Sequence, residues 1–258
     1  MSRTTIKILL GLSAFPLLFV GLLLAEASEA THRGSSLQPV EQIAQTFGSV
    51  QPRSLKLYFL GDSTAAGVGA TRAEDTFPFL IAQQINEVKH QSVQLFDLAK
   101  SGSKAQDVLR FQVPAAESAH PEVAVIVVSA NDVTHWTWPR AVENDLRSSV
   151  ERLQRAGIRV VLVGTPEMDI PLIREPLRSV IRWRGHCMAE RVRKVAEEKK
   201  VFFVDLAKLT GHLFGQNPRR FFSTDQFHPS GAGYGLWARA IYPEVEKAFS
   251  ADLSSVLR

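Results

Sequence analysis

Leu55-Lys56-Leu57-Tyr58-Phe59-Leu60-Gly61-Asp62-Ser63-Thr64 is a short apolar run that ends abruptly in a glycine and three polar residues. A run of this length bounded by glycine suits a strand buried on both faces of a parallel sheet. Ser63 then falls just past the strand's C-terminal end, where open α/β sheets place their ligands. Val93 to Leu98, Val123 to Ser129, Ile158 to Gly164 and Val201 to Asp205 are further runs of the same kind.

Helical patterns separate these runs. Thr76 to Val88 carries Phe77, Leu80, Ile81 and Ile85 at helical spacing, with Thr76 as the N-cap and Pro78 in the first turn. Pro139 to Ala156 places Val142, Leu146, Val150 and Leu153 on one face and stops at Gly157. Arg174 to Lys199 is long and basic, and Ala232 to Phe249 closes the pattern. Alternating strand and helix predicts one three-layer α/β/α domain with a central parallel sheet. After Leu55 no Pro/Gly/Ser-rich linker divides it, and a chain of 258 residues is long enough to bury a core without disulfides or metals.

The chemistry lies at the loops. A serine hydroxyl needs an imidazole to take its proton, and the imidazole needs a carboxylate to hold its tautomer. Ser63 is the candidate nucleophile, and Asp225-Gln226-Phe227-His228-Pro229 offers a base, His228, with an orienting carboxylate, Asp225. Ser101-Gly102-Ser103 and Ser129-Ala130-Asn131-Asp132 follow strand-like runs and offer donors for an oxyanion. Taken singly, each has a plainer reading: a turn serine, a turn glycine, a loop asparagine, a helix-capping aspartate.

Four blocks in this order resemble the SGNH hydrolases, the GDSL-type esterase and lipase superfamily, over roughly Leu55 to Phe249. The resemblance implies a flavodoxin-like variant of the α/β/α fold and a serine esterase. It makes Ser63, Asp225 and His228 a catalytic triad, and the N–H groups of Ser63 and Gly102 with the Asn131 amide an oxyanion hole. Two positions depart from the family pattern: Thr64 stands where leucine is usual, and Ser129 where the third block usually opens with glycine. Both bear on pocket shape rather than on a reacting atom.

Other chemistries fit less well. Gly67-Val68-Gly69-Ala70-Thr71-Arg72 lacks the last glycine of a dinucleotide fingerprint and no Walker A pair occurs, so no cofactor is expected; with no Gly-x-Ser-x-Gly elbow and Asp and His only three apart, the α/β-hydrolase arrangement does not fit. Asp62, Asp132, His135, Asp225 and His228 include metal-ligating types but no paired-histidine motif, so no metal is expected either, and a metal-dependent hydrolase is the lesser alternative. Asp62 and Asp132 read as loop carboxylates and His135 as a residue of the pocket wall or the surface. A further alternative is a non-catalytic glycan- or lipid-binding protein on a degenerate hydrolase fold. Trp136, Trp138, Phe221 and Phe222 flank the candidate loops, as an acyl wall, a sugar platform or core packing. Lipid, aryl and O-acetyl glycan esters all remain open as substrates.

The N-terminal residues read as targeting. Arg3 and Lys7 precede an uncharged run from Ile8 to Ala25, and Glu26 and Glu29 follow, a polarity that places the domain outside the cytoplasm. Ala25-Glu26-Ala27 resembles a small-x-small cleavage site, while the run approaches the ~20 residues of a spanning helix, so residues 1–27 are a signal peptide or a retained membrane anchor. Residues 28–54 read as a tether with one short helix around Val40 to Phe47, and residues 55–258 as the hydrolase domain. Removing residues 1–27 lowers the formal charge from +4 to +3, since Arg3, Lys7 and Glu26 are lost. The chain has no basic–aromatic nucleic-acid module. The arginines between Arg174 and Arg193 read as a solvated helix face or as a surface for anionic lipid or polysaccharide. The single cysteine, Cys187, lacks an activating neighbourhood.

Overall fold

The structure is a computed structural model that describes residues 37–39, 44–49 and 54–251. The apolar run at residues 8–25 lies outside the described residues, and among the described residues no helix is long and apolar enough to cross a membrane.

Among the described residues six strands form one sheet in the order β1-β3-β2-β4-β5-β6. They are β1 (Ala44–Phe47), β2 (Leu55–Gly61), β3 (Val93–Asp97), β4 (Val123–Val127), β5 (Arg159–Val163) and β6 (Phe202–Val204). All neighbours run parallel except β1, which pairs antiparallel with β3. That edge strand corrects the sequence expectation, because Ala44–Phe47 is extended and not helical; residues 40–43 lie outside the described residues. Phe47 explains the preference. Its ring meets Phe79 edge-on at 4.8 Å, and burying it contributes about 2 kcal/mol that a solvated helix in a tether would forgo.

The larger helices are α1 (Phe77–Lys89), α5 (Pro139–Arg155), α6 (Leu177–Lys199), α7 (Leu206–Gln216) and α9 (Gly231–Ser250). Shorter pieces are α2 (Ala105–Asp107), joined by a π turn at Val108–Gln112 to α3 (Val113–Ala119), then α4 (Ala130–Thr134) and α8 (Pro218–Phe221). Alternate residues of each central strand feed two cores. Leu57, Phe59, Val123 and Val125 pack with α1 and α9; Tyr58, Leu60, Ala124 and Ile126 pack with α3, α5 and α6. The result is the three-layer arrangement, with a mixed and mostly parallel sheet. Thr76 occupies the N-cap position of α1 without capping it: its hydroxyl donates to the Ala73 carbonyl at 2.7 Å.

From β2 the chain moves outward to β3 and then returns to the other side of β2 as β4. This reversal opens a crevice at the C-terminal ends of β2 and β4, the place where such sheets bind ligands. The loops after β2, β3 and β4 all reach it.

The arginine-rich face of α6 is largely neutralised by the protein itself. Arg191 and Lys194 of α6 and Arg147 of α5 converge on Glu143, and the ammonium of Lys194, followed by the two guanidiniums, holds that carboxyl at about 2 despite its burial. Arg178 pairs with Asp169 and Arg193 with Asp205.

Candidate active site

Ser63 begins a turn that the sequence shapes tightly. The Asp62 carboxylate accepts from the Thr64 N–H (2.9 Å) and hydroxyl (2.8 Å), and the Val68 N–H donates back to the Ser63 carbonyl. Thr64 therefore closes an Asx turn around the serine, a use for the hydroxyl at the position where the family pattern has leucine. Gly69 allows the next close approach: it has φ +96°, and a Cβ there would lie 2.4 Å from the Pro229 carbonyl and 3.0 Å from the His228 Cβ. The serine turn and the histidine loop thus touch through a residue without a side chain. Beneath them the fully buried Tyr234 of α9 donates to the Val68 carbonyl at 2.5 Å.

The histidine loop completes a hydrogen-bonded chain. His228 Nε2 lies 2.8 Å from Ser63 Oγ, and its Nδ1 lies 2.6 Å from Asp225 Oδ2. The other carboxylate oxygen accepts from the Ser223 hydroxyl (2.6 Å) and from the N–H groups of Phe227 (2.9 Å) and His228 (3.0 Å). Burial pushes the Asp225 carboxyl up, but the bonds from His228, Ser223 and Phe227 outweigh it, so the group sits below the ordinary carboxylate range. Ser63 is 5% exposed and His228 3%. An ionised aspartate, an imidazole and a hydroxyl in line make a device for drawing a proton from the serine.

The two donor loops arrive from neighbouring strands. Gly102 is exposed and has φ +82°, with nothing within 4 Å of where a Cβ would stand. Neither its N–H nor that of Ser63 has a protein acceptor among the described residues. Asn131, near the start of α4, is buried and donates one amide hydrogen to the Ser103 carbonyl at 3.0 Å, leaving the second hydrogen free. The structure therefore gathers Ser63, Gly102, Asn131, Asp225 and His228 around one crevice.

Of the residues that hold this arrangement, Asp132 and Ser129 were named from sequence and Gln112 was not. Gln112, in the π turn, accepts from the Gly61 N–H (2.7 Å) and donates to the Gly61 carbonyl (2.9 Å) and to the Ser103 hydroxyl (3.3 Å). One side chain thus ties the strand before the nucleophile to the Gly102 loop. Asp132 accepts from the Ala105 N–H at 3.0 Å and so ties the Gly102 loop to α4; burial raises its carboxyl to about 6 against the bonds from Ala105 and Thr137. Ser129 is buried at φ +110°, a conformation that favours glycine, and its hydroxyl shares a 2.7 Å bond with Thr165.

Beside the crevice lies a small, partly open cavity of about 30 Å³, lined by Thr64, Ala130, Met168, Phe214, Phe222 and Phe227 among others. Of the four flanking aromatics, Phe222 faces this cavity and Phe221 packs on Phe214 at 5.6 Å. Trp138 does not reach it; 81% exposed, it lines a separate open groove with Trp183 on α6. Trp136 is stacked under Arg184, whose guanidinium carbon lies 4.6 Å from the ring centre. His135 is exposed, its Nδ1 2.9 Å from the Asn131 carbonyl. Among the described residues no three side chains of His, Cys, Asp or Glu are placed to hold a metal.

Known proteins share this fold. TesA has a TM-score of 0.64 at 18% identity, covering 75% of this chain and 99% of its own. A variant of the acetyl xylan esterase Axe2 from Geobacillus stearothermophilus has a TM-score of 0.60 at 22% identity, covering 74% and 94%. By sequence, the GDSL-like esterase Rv1075c of Mycobacterium tuberculosis is 32% identical over 206 residues, which are 78% of this chain and 65% of that protein. The chain thus spans a little under two thirds of this curated relative's length. The sequence profile of the GDSL-like Lipase/Acylhydrolase family matches residues 59–236, from the end of β2 into α9, and the chain belongs to that family.

Proposed function

We propose that the protein is a serine esterase that cleaves carboxylic esters through an acyl-enzyme on Ser63. The observation that carries this reading is the continuous chain from Ser63 Oγ through His228 to Asp225, set beside two free N–H groups and a free amide hydrogen. His228 takes the hydroxyl proton as Ser63 Oγ bonds to the ester carbonyl carbon. The N–H groups of Ser63 and Gly102 and the Asn131 amide receive the negative charge that develops on the carbonyl oxygen. The carbon–oxygen bond to the alcohol then breaks, and His228 returns the proton to the departing alkoxide. Water, deprotonated by the same imidazole, attacks the acyl-enzyme, and the serine regains its proton as the carboxylic acid leaves. Asp225 orients the ring and stabilises the imidazolium.

The two arms of the ester meet different surroundings. The small, largely apolar cavity suits the acyl group, and its volume holds about two water-sized groups, which favours acyl chains of two to four carbons. The groove lined by Lys100, Ser101, Gly102, Asp107 and Phe111 is open and mixes polar with apolar side chains, so it suits a larger alcohol such as a sugar or an aryl group. The acetyl xylan esterase among the structural neighbours supports an O-acetyl substrate on the same grounds. The polarity around residues 8–25 supports export, with the domain outside the cytoplasm and either cleaved free or tethered to the membrane.

Hydrolysis of p-nitrophenyl esters of two to twelve carbons by the full chain tests the reading. Turnover should be highest at two to four carbons and fall steadily beyond, and folded Ser63→Ala should be inactive on all of them. Absence of turnover on every ester would favour a binding protein on the same fold, and a maximum at ten or twelve carbons would contradict the cavity assignment.

A further inference from the structure

Three of the chain's four tryptophans stand at the surface, and they lie where the loop from α4 to α5 runs over α6. One face of Trp136 is already covered by the Arg184 guanidinium. Trp138, 81% exposed, and Trp183, 64% exposed, line one open groove of about 610 Å³. Each exposed indole leaves in water a flat apolar surface that a bound ligand buries. The groove is also held in shape. Arg184 donates to the Val133 carbonyl (3.3 Å) and to the Thr137 carbonyl (3.0 Å), so one guanidinium clamps the loop that carries Trp138 onto the helix that carries Trp183.

The charges along the groove decide what it fits. Its cations are committed: Arg191 and Lys194 to Glu143, Arg193 to Asp205, and Arg184 to the two carbonyls. Glu190, 72% exposed, and Glu197 add two exposed carboxylates to the wall. With Glu143 and Asp205 they balance the four cations. A surface for anionic lipid or an anionic polymer needs free cations and no exposed carboxylates. A neutral sugar ring needs something else, a flat apolar face for its C–H hydrogens and both donors and acceptors for its hydroxyls. We infer that the groove between Trp138 and Trp183 binds a neutral oligosaccharide, with sugar rings on the two indoles and hydroxyls on the flanking charged pairs. This names a glycan as the alcohol side of the ester, and for the link to hydrolysis it rests on the esterase reading. Trp138 follows Asn131 by seven residues, so the groove begins within about 25 Å of the oxyanion loop. A glycan held there keeps its acyl groups near the crevice at a raised local concentration.

Calorimetric titration of the full chain with ester-free hexasaccharides of β-linked xylose, glucose and N-acetylglucosamine tests the inference, with hexagalacturonate as the anionic counterpart. At least one neutral hexasaccharide should bind, and hexagalacturonate should bind more weakly than it. Trp138→Ala and Trp183→Ala should each raise that Kd about tenfold, while Trp138→Phe, which keeps a ring, should recover most of the loss. Both indoles are exposed, so the melting temperatures of these variants should move little. The kcat/KM for the O-acetylated form of the bound hexasaccharide, divided by that for p-nitrophenyl acetate, should fall by a similar factor in each alanine variant. Failure of every neutral hexasaccharide to bind, tighter binding of hexagalacturonate, or an unchanged Kd in the double alanine variant would overturn the inference. So would phosphatidylglycerol vesicles, or a second copy of the chain, binding in place of saccharide and lost in the double variant. Saccharide binding without hydrolysis of any ester keeps the groove assignment and removes the esterase reading; hydrolysis of p-nitrophenyl acetate without saccharide binding does the reverse.

Discussion

The two loops that bring donors to the crevice are built in opposite ways. The loop after β3 carries Ser101 and Gly102 into solvent, with open space around Gly102. The loop after β4 is sunk into the protein, with Ser129, Ala130, Asn131 and Asp132 all buried. Each rests on a buried carboxyl. Asp97, at the end of β3, accepts from the Ala99 N–H at 2.8 Å, and burial raises it to about 8; Asp132 accepts from Ala105. A backbone donor needs only a backbone held at the right φ, so its loop can stay exposed. A side-chain donor has rotamers to lose and must be packed to stay aimed. The Asn131–Ser103 bond ties the exposed loop to the buried one, and Gln112 ties it to the end of β2.

If that contrast holds, removing the packed donor has the larger effect. Asn131→Ala should lower kcat about 10²–10³-fold with little change in KM, because its hydrogen bond strengthens only as charge develops. Asn131→Asp should be worse, since a carboxylate repels the same charge. Steady-state kinetics normalised by active-site titration checks both, and an unchanged kcat per titrated site in Asn131→Ala would take the residue out of the mechanism. A smaller loss follows at the exposed loop. Gly102→Ala meets no neighbour, but φ +82° costs an L-residue about 1–2 kcal/mol, so the N–H drifts and kcat should fall about tenfold while the melting temperature moves little. A loss as large as that of Asn131→Ala would erase the contrast.

The smallest effect concerns stability alone. Asp97 holds its proton up to about pH 8 in the folded protein but releases it near 4 when unfolded. The native state therefore binds the extra proton between those values, and this contribution to stability is lost as pH rises through the window. Asp97→Asn cannot ionise, so its melting temperature relative to wild type should climb between pH 5 and pH 8, by about 2–4 °C for each kcal/mol involved. Melts at pH 5, 6, 7 and 8 give the slope, and a difference independent of pH would mean that Asp97 is ionised throughout.

Much of the crevice was legible because its parts are local. Ser63, Gly102 and Asn131 each follow an apolar run and Asp225 and His228 lie three apart, so strand ends and short spacing made them candidates, and the order of the four blocks, through the family resemblance, gave them roles. Gln112 was not legible, because it acts on Gly61, 51 residues away, which no local pattern connects to it. The edge strand failed for a different reason: Ala44–Phe47 is too short to show a period, and its extended form is dictated by β3 and Phe79. The segment from Ala105 to Ala119 hid its helices because the π turn at Val108–Gln112 breaks the 3.6-residue repeat. Ser129 is instructive as a departure. Its φ of +110° shows why glycine is usual there, and the bond to Thr165 offsets part of what the serine costs.

The central claim is that His228 activates one serine among all those in the chain. Labelling of the full chain with a fluorophosphonate, followed by peptide mapping, tests it most directly. The account predicts a single adduct on Ser63, absent in Ser63→Ala and formed at least about 10³-fold more slowly in folded His228→Ala. An adduct on another residue, or labelling of His228→Ala at the wild-type rate, would contradict it.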